Sequence, residues 1–187
     1  MTGKPGVPLP EGWDHIPGAR GCTPQACSFR DSFQELQRLG VRCVFGLSAQ
    51  STADQREVVQ RLHLPYELLS DAKGDLVRLL QLPTFEVAGV GQLIKRLTLV
   101  AKEGKIVRCF YPIFPSNKNV DAVKAWLESS TSHSRRRAGG RQEFEPLVWA
   151  LGTCACIPEG ALPRRQLARL GRLIQPAKGP WPAAPMR

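Results

Sequence analysis

Two thiols lie five residues apart in the stretch Gly21-Cys22-Thr23-Pro24-Gln25-Ala26-Cys27, where the residue types mark the start of a helix. A cysteine at a helix N-terminus meets unpaired backbone N–H groups and the positive end of the dipole, and both favour thiolate over thiol. Arg20 and Arg30 are close in sequence and could add to that field. A thiolate attacks the O–O bond of a peroxide, and the sulfenic acid formed condenses with a second thiol. Cys27 is a candidate for that second thiol. If both cysteines are helical, a 1.5 Å rise and 100° turn per residue put their Cα atoms about 8–9 Å apart. That exceeds the roughly 7 Å limit for a disulfide. The helix start would then have to unwind in each cycle. Spacing alone leaves structural thiols, a redox pair and half a metal site all open. No second Cys/His cluster sits at zinc-site spacing, which weakens the metal alternative.

Several elements must hold these residues. The N-terminal 21 residues, with Pro5, Pro8, Pro10 and Pro17, read as an irregular loop. Thr23-Pro24 resembles a helix start, a capping hydroxyl followed by a first-turn proline, and Gly40 ends the element. Val41 to Leu47 is an apolar run of a buried strand. Ser51 or Thr52 opens a helix running to about His63, stopped before Pro65. Tyr66 to Leu69 is a short strand and Gly74 to Leu82 a third helix. Arg96–Ala101 and Ile106–Tyr111 flank the turn 102–105 as a hairpin, and Asn119–Leu127 makes a last helix. Strands alternating with helices, then a hairpin and a closing helix, predict an α/β three-layer sandwich.

The 187 residues contain 42% hydrophobic residues and six cysteines. That is ample for one domain and too few cysteines for a disulfide scaffold. No run of eighteen apolar residues predicts a membrane span, and the N-terminus lacks an apolar signal core. A reducing, cytoplasmic location is expected. The net charge of +10 is uneven: residues 129–187 hold ten of the 26 Lys and Arg but three of the 16 acidic residues. The expected division is a domain over 1–128 and a basic, mostly disordered tail over 129–187.

The string GCTPQACSFRD closely resembles the active site of the peroxiredoxins of the Q type, also called bacterioferritin-comigratory type, of the AhpC/TSA superfamily. LGVRCVFGLSAQ, LPYELLSD, KRLTLVAKEGKIVRCFYPIFP and AVKAWL continue the resemblance in order over about residues 13–128. It implies a thioredoxin-like fold and a thiol-dependent peroxidase acting on hydrogen peroxide or organic hydroperoxides. Cys22 matches the peroxidatic cysteine, Cys27 the resolving cysteine, and Arg96 the arginine that holds the thiolate and polarises the peroxide. Thioredoxin or a similar dithiol is the implied reductant. No metal or organic cofactor is implied, and a monomer is expected.

The chain departs from the family pattern in two places. Ala19 stands where the family has threonine, three residues before the peroxidatic position. An apolar strand ending in Tyr-Pro, central in the family's sheet, has no counterpart ahead of Cys22, since the chain begins Met1-Thr2-Gly3. The expectation is a thioredoxin-like sandwich lacking its first strands, with unpaired edges, a gap in the core and a folding defect. This keeps open an alternative, a non-catalytic truncated relic whose basic tail binds a partner. Arg135–Arg137 and the run 164–172 would be that tail's means of binding nucleic acid or acidic surfaces. Cys43 and Cys109 read as inert core thiols, His15 and His63 as bland residues with no carboxylate partner that spacing identifies, and Cys154-Ala155-Cys156 as an accidental pair.

Overall fold

In the computed structural model, which describes residues 6, 8–16, 19–137 and 147–151, a 3-10 turn at Trp13–His15 leads into helix α1, Cys22–Asp31. Ser32 interrupts the helical path, and α2, Phe33–Arg38, follows. The expected capping hydroxyl of Thr23 is not the start signal. Cys22 is already helical, Gly21 is the N-cap at φ 113°, and no side chain caps the helix. Thr23 and Pro24 lie inside the first turn, where proline's missing N–H costs no hydrogen bond.

The alternation read from the sequence is otherwise present. Strand β1 is Cys43–Ser48, α3 Thr52–Arg61, β2 Glu67–Ser70 and α4 Asp75–Leu80. Ser51 caps α3 by accepting the Asp54 N–H at 3.2 Å, as a serine before a helix does. Asp71 serves α4 in the same way, accepting from the Leu76 and Val77 N–H groups at 3.1 and 3.0 Å. Burial nevertheless holds the Asp71 carboxyl above its ordinary pKa. Two short strands not anticipated from the sequence, β3 Thr84–Val87 and β4 Gly91–Ile94, then pair antiparallel as a separate hairpin. The expected hairpin is β5, Leu97–Lys102, and β6, Lys105–Phe110; a 3-10 turn at Ser116–Lys118 leads to α5, Asn119–Arg137.

The last described element overturns one expectation. Residues Leu147–Leu151 form β7, and the five-stranded sheet runs β2-β1-β7-β5-β6. β7 is parallel to β1 and antiparallel to β5. The expected gap between these strands is therefore occupied, and the open edges that motivated a folding defect are paired. Helix α5 continues past residue 128. The five apolar residues LVWAL are the kind of continuous run typical of central strands in sheets covered on both faces. Apart from α5's end and β7, the segment 129–187 lies outside the described residues.

Helices cover both faces of the sheet. Side chains alternate along a strand, so Val44 and Val100 join a buried cluster with Ala26, Phe29, Val58 and Val123 from α1, α3 and α5. Leu47, Leu97 and Leu99 join Leu76 and Leu80 of α4 in a second cluster. Trp13, expected within an irregular loop, is buried with Ala19 against Val87 and Leu93 of the β3–β4 hairpin. No helix among the described residues is long and apolar enough to cross a membrane.

One long-range contact ties α1 to this frame. The buried Tyr66 hydroxyl donates to the Ala26 carbonyl at 2.8 Å, and burial pushes its pKa up. Tyr66→Phe should lower unfolding stability by about 1 kcal/mol, the usual net worth of such a bond. A urea titration followed by circular dichroism measures this.

Candidate functional site

Cys22 is the first residue of α1 and is 2% exposed. Arg96 immediately precedes β5 and shares a strand face with Thr98 and Val100, so its side chain runs towards α1. There its Nη2 lies 3.5 Å from Cys22 Sγ. The same nitrogen donates to the Arg20 carbonyl at 3.1 Å, and Nη1 donates to Gln25 Oε1 at 2.9 Å. Arg96 is itself 5% exposed. A buried guanidinium is costly unless its donors are met and its charge is answered. A sulfur anion at Cys22 answers that charge, so the pairing favours thiolate.

A polar network fixes the guanidinium from behind. Gln25 Nε2 donates to Asn119 Oδ1 at 3.2 Å and approaches Thr98 Oγ1 at 3.5 Å. The Thr98 hydroxyl in turn donates to Asn119 Oδ1 at 2.6 Å. These contacts commit the amide nitrogen of Gln25 to the α5 side and leave its oxygen facing Arg96. Gln25, Thr98 and Asn119 are all buried, so each bond is sheltered from competing water. Gly21 permits the close approach of the 3-10 turn after β6. A Cβ at this position would overlap the Ser116 hydroxyl and lie 2.9 Å from Ser116 Cβ.

Arg20 and Arg30 do not supply the field expected of them. The Arg20 guanidinium pairs with Asp14 on the surface, holding that carboxyl below its ordinary pKa, and contributes only its carbonyl to the site. Arg30 pairs with Asp31 at 2.8 Å and donates to the Leu62 carbonyl at 2.9 Å. The cation beside Cys22 is the distant Arg96.

Cys27 lies further along α1, half-buried and unlinked to Cys22. With both cysteines helical, the separation of about 8–9 Å applies. Cys43 and Cys109 sit half-buried on β1 and β6. Burial pushes the Cys109 thiol up to about 11, which suits an inert thiol. His15 and His63 are exposed. The pair Cys154/Cys156 and the run 164–172 lie outside the described residues. Among the described residues, no group of three or more His, Cys, Asp or Glu could hold a metal ion.

Of the residues singled out from the sequence, Cys22 and Arg96 are in contact and Cys27 is unlinked to Cys22; Gln25, Thr98 and Asn119 were not singled out. Gln25 stands three residues after Cys22, and Thr98 two after Arg96, the helix and strand spacings that share a face. Asn119 had no local signal.

The family model described as "AhpC/TSA family" matches residues 16–109, which include Cys22, Cys27 and Arg96. The chain belongs to the AhpC/TSA family. The relatives it matches include peroxiredoxins of the Q type. The chloroplastic peroxiredoxin Q of Suaeda salsa is 34% identical over 135 residues, 69% of this chain and 58% of that protein. The chloroplastic peroxiredoxin Q of Arabidopsis thaliana is 34% identical over 113 residues, 59% of this chain and 50% of that protein. The chain thus spans about half the length of the curated relatives it matches. Among solved structures, the bacterioferritin comigratory protein of Xanthomonas campestris, described for its alkyl peroxide reduction activity, aligns with a TM-score of 0.51 at 21% identity. That alignment covers 66% of this chain and 75% of the other, and places this AhpC/TSA member in the thioredoxin-like peroxiredoxin fold. The family match ends at residue 109, within β6, so α5 and β7 lie beyond it.

Proposed function

We propose that this chain is a thiol-dependent peroxidase that reduces hydrogen peroxide or organic hydroperoxides, with Cys22 as the attacking sulfur. The contact that carries this reading is Arg96 Nη2 at 3.5 Å from Cys22 Sγ, at a helix N-terminus. The Cys22 thiolate attacks one peroxide oxygen and the O–O bond breaks. The sulfur gains that oxygen as a sulfenic acid, while the other oxygen leaves as alkoxide or hydroxide and takes a proton from solvent. Arg96, placed at the sulfur, stabilises the negative charge as it shifts onto oxygen. The Cys27 thiol then attacks the sulfenic sulfur, forming the S–S bond and releasing water. Thioredoxin or a similar dithiol restores both thiols by exchange and is itself oxidised.

The alkyl peroxide reduction of the Xanthomonas campestris protein supports the organic hydroperoxide half of the substrate class. Such a cycle runs where a dithiol donor is kept reduced, the cytoplasm in the simplest case, and needs no second copy of the chain. The rival, a non-catalytic relic, drew its force from an open sheet. With β7 between β1 and β5, that motive is gone.

After one equivalent of hydrogen peroxide, peptide mass spectrometry should find Cys22 linked to Cys27. Cys27→Ser should instead accumulate a sulfenic acid at Cys22, captured by a dimedone-type probe. Free thiols at both positions after peroxide would refute the assignment.

A further inference from the structure

The sheet holds a strand whose origin in the chain is unusual for its place. β7 is the last described element in sequence, yet it is the middle strand of five. Each of its residues has a partner on both sides: Leu147 faces Cys43 and Ala101, Trp149 faces Phe45 and Leu99, and Leu151 faces Leu47 and Leu97. Within the sheet, β1 and β5 meet only through it. Neither of its partners is its neighbour along the chain, and residues 138–146 separate it from α5.

The register also connects β7 to the thiol site. Leu151 pairs with Leu97, and Arg96 is the next residue out. β1 and β7 run parallel and finish together at this end of the sheet, with Leu47 opposite Leu151. The position of Arg96 relative to the β1 half of the molecule is thus set, within the sheet, by β7.

We propose that the space between β1 and β5 is a strand-acceptor site, and that the chain's own residues 147–151 fill it as a separable element on which closure of the sheet and placement of Arg96 depend. The physical basis is the cost of the empty state. Without β7, both β1 and β5 present unpaired backbone N–H and C=O groups at the centre of the fold, where water cannot easily satisfy them. A strand added to such edges recovers main-chain hydrogen bonds on both sides at once, the mode by which extended peptides bind open sheets. The assignment is independent of the chemistry of Cys22.

Hydrogen–deuterium exchange on the full chain tests this. Amides of 147–151, of β1 and of β5 should be protected together. Trp149→Pro removes an N–H from a strand paired on both sides and should deprotect β1 and β5 in concert, abolishing the single cooperative melt. Trp149→Phe should leave both patterns as they are. A second arm places a specific protease site between Arg137 and Leu147 and cuts the folded, full-length protein. The two pieces should co-elute with β1 and β5 still protected. The proposal is overturned if 147–151 exchange as fast as unstructured chain in the native protein, or if the 147–187 piece separates while β1 and β5 keep their protection. Both readouts are indifferent to peroxidase activity, so failure here is distinguishable from failure of the proposed function.

Discussion

Cys22→Ser should abolish peroxide consumption, lowering kcat/KM by at least about a thousandfold, because loss of a nucleophile removes the whole covalent route rather than one stabilising contact. A serine hydroxyl has almost no anionic form near neutral pH and cannot become a sulfenic acid. The fold should survive, since the exchange is nearly isosteric at a residue packed beside Ala26 and Phe29. Stopped-flow measurement of peroxide loss with a thioredoxin donor, beside a thermal melt, separates the two effects. Peroxidase activity close to the native value in a folded Cys22→Ser protein would remove the sulfur from its assigned role.

Arg96→Met should be the second most damaging change, with kcat/KM falling about a hundred- to a thousandfold, the range for removing one charge-stabilising donor from a reaction centre. Methionine roughly keeps the length and burial while deleting the cation at Cys22 Sγ and the donor to Gln25 Oε1. Without the guanidinium at its sulfur, the thiol should ionise less readily. The sign follows directly. The reactive form is the thiolate, so activity is lost as pH falls through the thiol pKa, and a higher pKa moves that loss to higher pH. The deficit relative to the native chain should therefore be larger at pH 6 than at pH 9. Arg96→Lys should fall between them, because an ammonium keeps the charge but cannot span Arg20, Gln25 and Cys22 with one planar fork. A deficit independent of pH would assign Arg96 to packing alone. Leaving the Gln25 oxygen buried without its donor should also cost the Met variant roughly 1–3 kcal/mol of stability, read from chemical denaturation.

The alternation of strand and helix from Val41 to Leu127 was legible because it depends on local periodicity and turn residues. The β3–β4 hairpin passed unread, although Thr84-Phe85-Glu86-Val87 followed by Gly89 and Gly91 is a usable hairpin signal. β7 was harder. Its five apolar residues sit in a segment whose basic, proline-bearing composition argues against a core, and the partners that make it a strand lie far away in β1 and β5. Nothing local records a vacancy elsewhere. At the site, Cys22 and Arg96 could be paired through a motif, but the orienting roles of Gln25, Thr98 and Asn119 exist only once α1, β5 and α5 have met. Arg20 and Arg30 erred in the opposite direction. Proximity in sequence suggested a field at Cys22, and nearer carboxylates took both guanidinium groups.

The anchoring of α1 has a consequence for the proposed cycle. The Tyr66 hydroxyl grips the carbonyl of Ala26, the residue just before Cys27, and Gln25 ties the first turn to Arg96 and Asn119. Joining the two sulfurs would have to break part of this anchoring, and a sulfur drawn away from the first turn would leave the guanidinium beside it. Under that cycle the chain is either charged for attack or joined to its own second thiol, never both, and each turnover would have to rebuild the trap before another oxidant is caught.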